Sequence, residues 1–254
     1  NCMTEQAGWM YHSEADIRKR FELFKEIGVN MLRVEIVWGS VEPQEGQWDN
    51  NNRAFRYMEL AKEYGFRIKL ILGTMMGPPG WFFDKYPEAG LIDQNGMTTR
   101  NTLSIWYPDL NNAIKQTNDK VISMLKEKGL WDNIDYIIPA LGAAGEPIYP
   151  PLWTLPEGFT EQTFWGYDPN AQISFRAYAR NKYKDVAEAN KTWGTTFARW
   201  EDVVVLKPRI QPGAYWEDML TWYRDCKRDY IRWQCAQVNE YIAGTDKKTL
   251  VYIP

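Results

Sequence analysis

Histidine is almost missing from this chain: its 254 residues hold one, His12. Cysteine is scarce too, with Cys2, Cys226 and Cys235 only. One imidazole and three scattered thiols assemble neither a His-based triad nor a zinc site, and they are too few for a disulfide framework. His12 therefore reads as structural. Cys226 and Cys235 lie nine apart on one helical stretch, face different directions and read as inert thiols. Positive charge is not in surplus: 30 basic side chains stand against 33 acidic ones, a net charge of −3. That balance lacks the basic excess of a nucleic-acid binder. No apolar run approaches the ~20 residues that a membrane helix needs. Neither G-x-x-x-x-G-K-[ST] nor G-x-G-x-x-G occurs, so no phosphate cradle is supported. No metal and no cofactor is expected.

What the chain does hold is aromatic: 13 Trp, 15 Tyr and 10 Phe, or 15% of the residues. Such side chains build cores, and they also build surfaces that stack on sugar rings. Otherwise the balance is globular, with 44% hydrophobic and 25% charged residues. The chain begins at Asn1 without an initiator Met and stops at Pro254, directly after a strand-like run at 249–253. Both ends read as cut. The compartment, cytoplasmic or periplasmic or secreted, is left open, as is a homo-oligomer.

Periodicity predicts helices over 14–27, 53–64, 110–128 and 216–243, each closed by a glycine (Gly28, Gly65, Gly129 and Gly244). Ser13 is placed to cap the first. Short β-rich runs predict strands at 31–38, 67–72, 134–141 and 249–253, with a weaker one near 3–10. Helix–strand alternation points to parallel strands with crossover helices, and the nearly continuous apolar strands fit a sheet covered on both faces. Between the third of these strands and the last helix lies an aromatic-rich stretch. It is too long for a structureless loop, and 171–190 reads as helical. The expectation is an α/β fold of (β/α)₈ TIM-barrel type, one domain over 1–254, incomplete at its C-terminus. An insertion at 147–215 follows the fourth barrel strand. Chemistry in such a barrel sits on the carboxyl ends of the strands.

Three of those ends hold candidates. Glu146 follows the third confident strand as the first charge after a run of apolar and small residues. There, lost hydration raises a carboxyl pKa toward the range a general acid needs. A helix cap or a surface ion pair is the alternative for it. Trp81 follows the Gly- and Pro-rich loop 73–80 as a sugar platform or a helix-start aromatic. Glu35 and Arg33 alternate onto one side of their strand, where they contact substrate or pair with each other.

The chain resembles the N-terminal, catalytic part of glycoside hydrolase family 42, the β-galactosidase family. The resemblance rests on several segments in order. Lys25-Glu26-Ile27-Gly28-Val29-Asn30-Met31-Leu32-Arg33 is followed by Trp38-Gly39-Ser40-Val41-Glu42-Pro43 with Glu45-Gly46 and Trp48-Asp49. Then come Gly73-Thr74, Pro78-Pro79-Gly80-Trp81, Tyr86-Pro87-Glu88, Lys182-Tyr183, and Asn190-Lys191-Thr192-Trp193-Gly194-Thr195-Thr196-Phe197. It implies a retaining hydrolase of O-glycosidic bonds, a glycoside or oligosaccharide as substrate, Glu146 as acid/base and Trp193 in the sugar pocket. Trp38, Trp106 and Tyr149 join Trp81 as candidates for the sugar-facing wall.

There are departures. The family's Asn before its acid/base Glu is Gly145 here. Its substrate-binding Arg falls near Ser104–Ile105, with Arg100 the nearest alternative, and its zinc-binding cysteines are absent. The segment 142–150 is also similar to G-P-A-G-E-L-R-Y-P of the β-amylases, which are inverting enzymes. The clan's nucleophile, a second Glu after the seventh strand, is expected beyond Pro254, so the isolated segment should turn over poorly. The rival readings are an inverting β-amylase-like α-glucan hydrolase, a non-catalytic carbohydrate-binding barrel, and a (β/α)₈ enzyme of unrelated chemistry.

Overall fold

A computed structural model describes residues 2–4, 12–142, 145–151, 155, 163–208 and 213–252. In order these form β1 (Cys2–Thr4), α1 (Glu14–Glu26), β2 (Met31–Val37), α2 (Trp38–Val41), α3 (Arg53–Glu63), β3 (Arg67–Gly73), α4 (Gly80–Lys85), β4 (Gly90–Ile92), β5 (Thr98–Leu103), α5 (Leu110–Glu127), β6 (Ile134–Ile138), α6 (Pro169–Lys182), α7 (Val186–Trp193), α8 (Ala214–Ile242) and β7 (Lys248–Thr249). Five strands make one parallel sheet in the order β1-β2-β3-β6-β7, and β4 and β5 make a separate antiparallel pair. The expected parallel α/β layout is thus present. Among the described residues no helix is long and apolar enough to cross a membrane.

Alternation along the strands decides which face each side chain meets. Leu32, Val34 and Ile36 of β2, with Ile68, Leu70 and Leu72 of β3, share one core with Phe21, Phe55, Met58, Leu60, Val121 and Leu125 of the helices. Each such fully buried side chain contributes about 1.5–3 kcal/mol, which holds α1, α3 and α5 on this face. The opposite face is set by register. Arg33 stands beside Lys69, and Lys69 beside Tyr136; Glu35 stands beside Ile71, and Ile71 beside Ile138. On that face Tyr252 lays its ring 5.7 Å from the Arg33 guanidinium and 5.5 Å from the Lys69 ammonium.

Local chemistry explains the boundaries. The Ser13 hydroxyl accepts from the Asp16 amide at 3.2 Å, as its capping position predicts. Gly28 closes α1 at φ 81°, a left-handed conformation that costs other residues ~1 kcal/mol or more. Strand β6 stops at Ile138, short of the expected 141. Pro139 has no N–H to give the ladder, and the Leu141 amide turns back to the Pro139 carbonyl at 2.8 Å. The expected helix 171–190 is two helices. Tyr183 is extended (φ −115°, ψ 142°), and Asp185 restarts the chain by accepting from the Glu188 amide at 2.9 Å. The last strand is shorter than expected, at Lys248–Thr249, and the weak first strand lies at Cys2–Thr4. The β4–β5 pair was not foreseen: Thr98-Thr99-Arg100-Asn101-Thr102 carries no apolar alternation.

A second cluster joins α6, α7 and the first half of α8 through Phe175, Trp193, Tyr215, Met219 and Trp222. At its edge Asp218, 4% exposed, accepts from the Tyr183 hydroxyl at 2.6 Å, the Trp193 indole at 2.9 Å and the Lys182 ammonium. Burial works to raise this carboxyl, but those three donors outweigh it and hold it below the ordinary carboxylate range.

Candidate functional site

The short helix α2 after β2, the loop after β3 and strand β5 meet through main-chain bonds. Gly39 N–H donates to Gly77 O at 2.8 Å, Gly77 N–H to Asn101 O at 2.8 Å, and Leu103 N–H to Met75 O at 3.2 Å. The turn after β6 joins them. A Cβ at Gly142 would meet the Ile148 carbonyl oxygen at 2.5 Å and that of Glu146 at 2.6 Å, so only glycine lets the chain fold back this closely. Gly145 takes φ 79°, and a Cβ there would stand 2.5 Å from Cγ2 of Ile138 and 3.5 Å from Cγ2 of Ile71. The peptide leading into Glu146 therefore lies directly over the Ile71–Ile138 pair, on the face of the sheet that carries Glu35. Glu146 itself is half-buried. A side chain at position 145 would force Ile138 to shift.

Helix α8 supplies side chains that sequence reasoning missed. The Lys227 ammonium donates to Leu141 O at 2.9 Å and Ile148 O at 3.2 Å, and Tyr230 OH donates to Ala140 O. Lys227 is 8% exposed, and burial lowers its pKa to about 7. The signal was available: Lys227, Tyr230 and Gln234 fall at helical spacing on one buried stripe of α8, where a lysine needs an acceptor.

Trp106 and Tyr149 come together beside this turn. Their rings stack at 6.1 Å; Trp106 stacks on Trp222 at 5.1 Å and Tyr149 on Tyr223 at 4.4 Å. A groove of about 530 Å³ runs along Pro147, Ile148, Tyr149 and Tyr223 to Ile231. Trp38 and Trp81 line a different cleft, of about 350 Å³, with Trp48, Tyr86 and Glu42. The Trp38 indole donates to the Glu42 carboxylate at 2.6 Å, and the Trp81 indole to the Glu42 carbonyl at 3.1 Å.

Other candidates lie apart. Trp193 sits inside the second cluster rather than on a cleft wall: it is 9% exposed, stacked on Tyr215 at 4.4 Å and bonded to Asp218. Arg100 is engaged at the start of α4, where it donates to Gly80 O and pairs with Asp84. Glu35 is half-buried on the face it shares with Arg33, where burial raises its pKa against the opposing pull of Arg33. No Arg33–Glu35 ion pair forms among the described residues. Arg33 stays buried with its Nη2 lacking a hydrogen-bond partner there.

A parallel sheet whose strands alternate with helices along the chain matches the fold class of TIM-barrel glycoside hydrolases. The family profile for glycoside hydrolase family 42, described as beta-galactosidase, matches residues 10–128 and 149–251. The chain belongs to that family. The match passes over 129–148, the stretch that holds β6 and Glu146. Beta-galactosidase BgaA of Clostridium cellulovorans is 25% identical over 85% of this chain and 32% of its own length. The chain thus spans about a third of that relative. Beta-amylase of Bacillus cereus is 24% identical over 82% of this chain and 40% of its own length. Among solved structures, the catalytic domain of beta-amylase from Paenibacillus polymyxa superposes with a TM-score of 0.80 at 20% identity, covering 98% of this chain and 64% of that one. Beta-galactosidase from the psychrophilic Marinomonas ef1 superposes with a TM-score of 0.72 at 16% identity, covering 98% and 36%.

Proposed function

We propose that this chain is part of a retaining glycoside hydrolase of β-galactosidase type, with Glu146 as its general acid/base. The observation that supports this most is placement. The residue before Glu146 lies over the Ile71–Ile138 pair at the strand carboxyl ends, with the Trp106–Tyr149 stack alongside. Half-buried, Glu146 can give a proton to a glycosidic oxygen, then take one from water in the second displacement. We assign the nucleophile to a carboxylate in the portion that follows residue 254, ~5–5.5 Å from Glu146 in the assembled site. Trp106 and Tyr149 are the aromatics nearest that role; Trp38 and Trp81 face the separate cleft.

The test is Glu146→Gln in the full-length protein. Hydrolysis of β-galactosides with poor leaving groups should fall by on the order of 10²–10⁴-fold, and aryl galactosides with acidic leaving groups should be spared. Equal, undiminished turnover of both would remove Glu146 from the mechanism.

A second reading has its own support. The Gly145–Glu146 pair follows the β-amylase pattern, and an asparagine at 145 would press on Ile138. An inverting hydrolase of this type would cleave α-glucans and release the β-anomer, as a retaining enzyme does from β-galactosides, so assaying an α-glucan against a β-galactoside, with NMR of the first-formed anomer from whichever is cleaved, separates the two.

A further inference from the structure

We propose that Lys227 is the positioning residue for Glu146: its buried ammonium bonds the two carbonyls, Leu141 O and Ile148 O, that bracket the turn carrying this carboxylate. The inference rests on the role proposed for Glu146 and adds the device that aims it.

The geometry is specific. Leu141 and Ile148 lie on either side of Gly142 and Glu146, and one cation spans both at 2.9 and 3.2 Å. Each carbonyl belongs to a backbone already folded tightly. Gly142 admits no Cβ beneath the Ile148 oxygen, and the Ile148 amide donates to Glu146 O at 2.8 Å. Lys227 is in turn held over the Tyr149 ring at 5.0 Å and the Tyr230 ring at 5.4 Å. Tyr230 extends the same grip by one residue, donating to Ala140 O while accepting from Gln234 at 3.0 Å. One face of α8 thus binds the main chain at residues 140, 141 and 148. A buried lysine is costly unless acceptors replace its lost water, and among the described residues the acceptors of Lys227 are these two carbonyls. Its placement makes sense if the fixed object is the turn. A carboxylate that must meet a glycosidic oxygen within a few tenths of an ångström needs its backbone pinned.

The experiment uses Lys227→Met, close in length and without a donor, in the full-length protein. Two readouts are followed: amide hydrogen exchange, and kcat and KM on a poor-leaving-group β-galactoside. Positioning predicts faster exchange at Glu146 and Ile148 with β3 and β6 unchanged. It also predicts kcat lower by on the order of 10–100-fold at little-changed KM. Lys227→Met placed on Glu146→Gln should then add no further loss. A merely structural lysine would instead loosen β3 and β6 along with the turn and give additive losses; either result overturns the proposal, as does unchanged exchange at 145–148. If Lys227→Met does not fold, Lys227→Gln, which keeps a donor, is read in the same assays, and the same changes relative to wild type are expected in smaller degree. Should Glu146→Gln alone leave turnover intact, the function assigned to Glu146 fails and the proposal fails with it. Should Glu146→Gln abolish turnover while Lys227→Met changes neither readout, only the positioning role fails.

Discussion

Gly145 and Ile138 are in mutual exclusion: any Cβ at 145 would lie 2.5 Å from the isoleucine Cγ2, well inside van der Waals contact. The glycine that replaces the asparagine of the resembling family is therefore built into the packing of the strand below it. Gly145→Asn should destabilise the chain by about 2 kcal/mol or more, from overpacking and a positive φ together. Ile138→Ala should recover part of that loss in the double variant. Urea titration of the three variants checks this, and strictly additive losses would contradict it.

Asp218 draws Lys182, Tyr183 and Trp193 onto α8. Its native pKa is below the unfolded value of 3.8. The carboxylate's contribution is therefore present above that value and is lost as pH falls through the lower native one. Asp218→Asn should lower stability at pH 7 by about 1–3 kcal/mol, and the gap to wild type should narrow below pH 4. Denaturation at pH 3 and pH 7 measures it.

Glu35 titrates in the opposite sense. Burial raises its native pKa above the model-compound 4.5, so the native state holds the extra proton, and stability falls as pH rises from 4.5 through the native value. Glu35→Gln should be the more stable protein at pH 8 and no better at pH 3, read by thermal melting. Such a gain would mark a carboxyl kept on the face it shares with Arg33 at the expense of stability, the usual signature of a site residue.

Lys227 gives a third pH signature. Its native pKa is about 7 against 10.5 in the unfolded chain, because burial disfavours the cation. Between those values the unfolded chain binds the extra proton, so stability rises with pH. Wild type should gain on Lys227→Met from pH 7 to pH 10 by a few kcal/mol at most. A flat difference across that range would show the ammonium to be charged throughout.

The helices and parallel strands were legible because their apolar spacing and terminal glycines act locally. What escaped depends on partners distant in sequence. Thr98–Leu103 pairs as a strand because Gly90–Ile92 lies opposite it, not because its own residues alternate. Trp193 matched a sugar-pocket motif, yet Asp218, 25 residues on, claims its indole N–H. Lys227 finds its acceptors 86 and 79 residues away. Glu146 stands out in the sequence alone because it is the first charge after a run of apolar and small residues.

The main-chain bonds that lace Gly39 of α2, Gly77 of the loop after β3 and Asn101 of β5 have a consequence for diversification. Because the rim is knitted from peptide groups, the side chains projecting from it are free to vary without unseating the frame. Exchanging the Met76 side chain should therefore leave the scaffold's outline intact, because the bonds that hold Met75 and Gly77 on either side come from peptide groups.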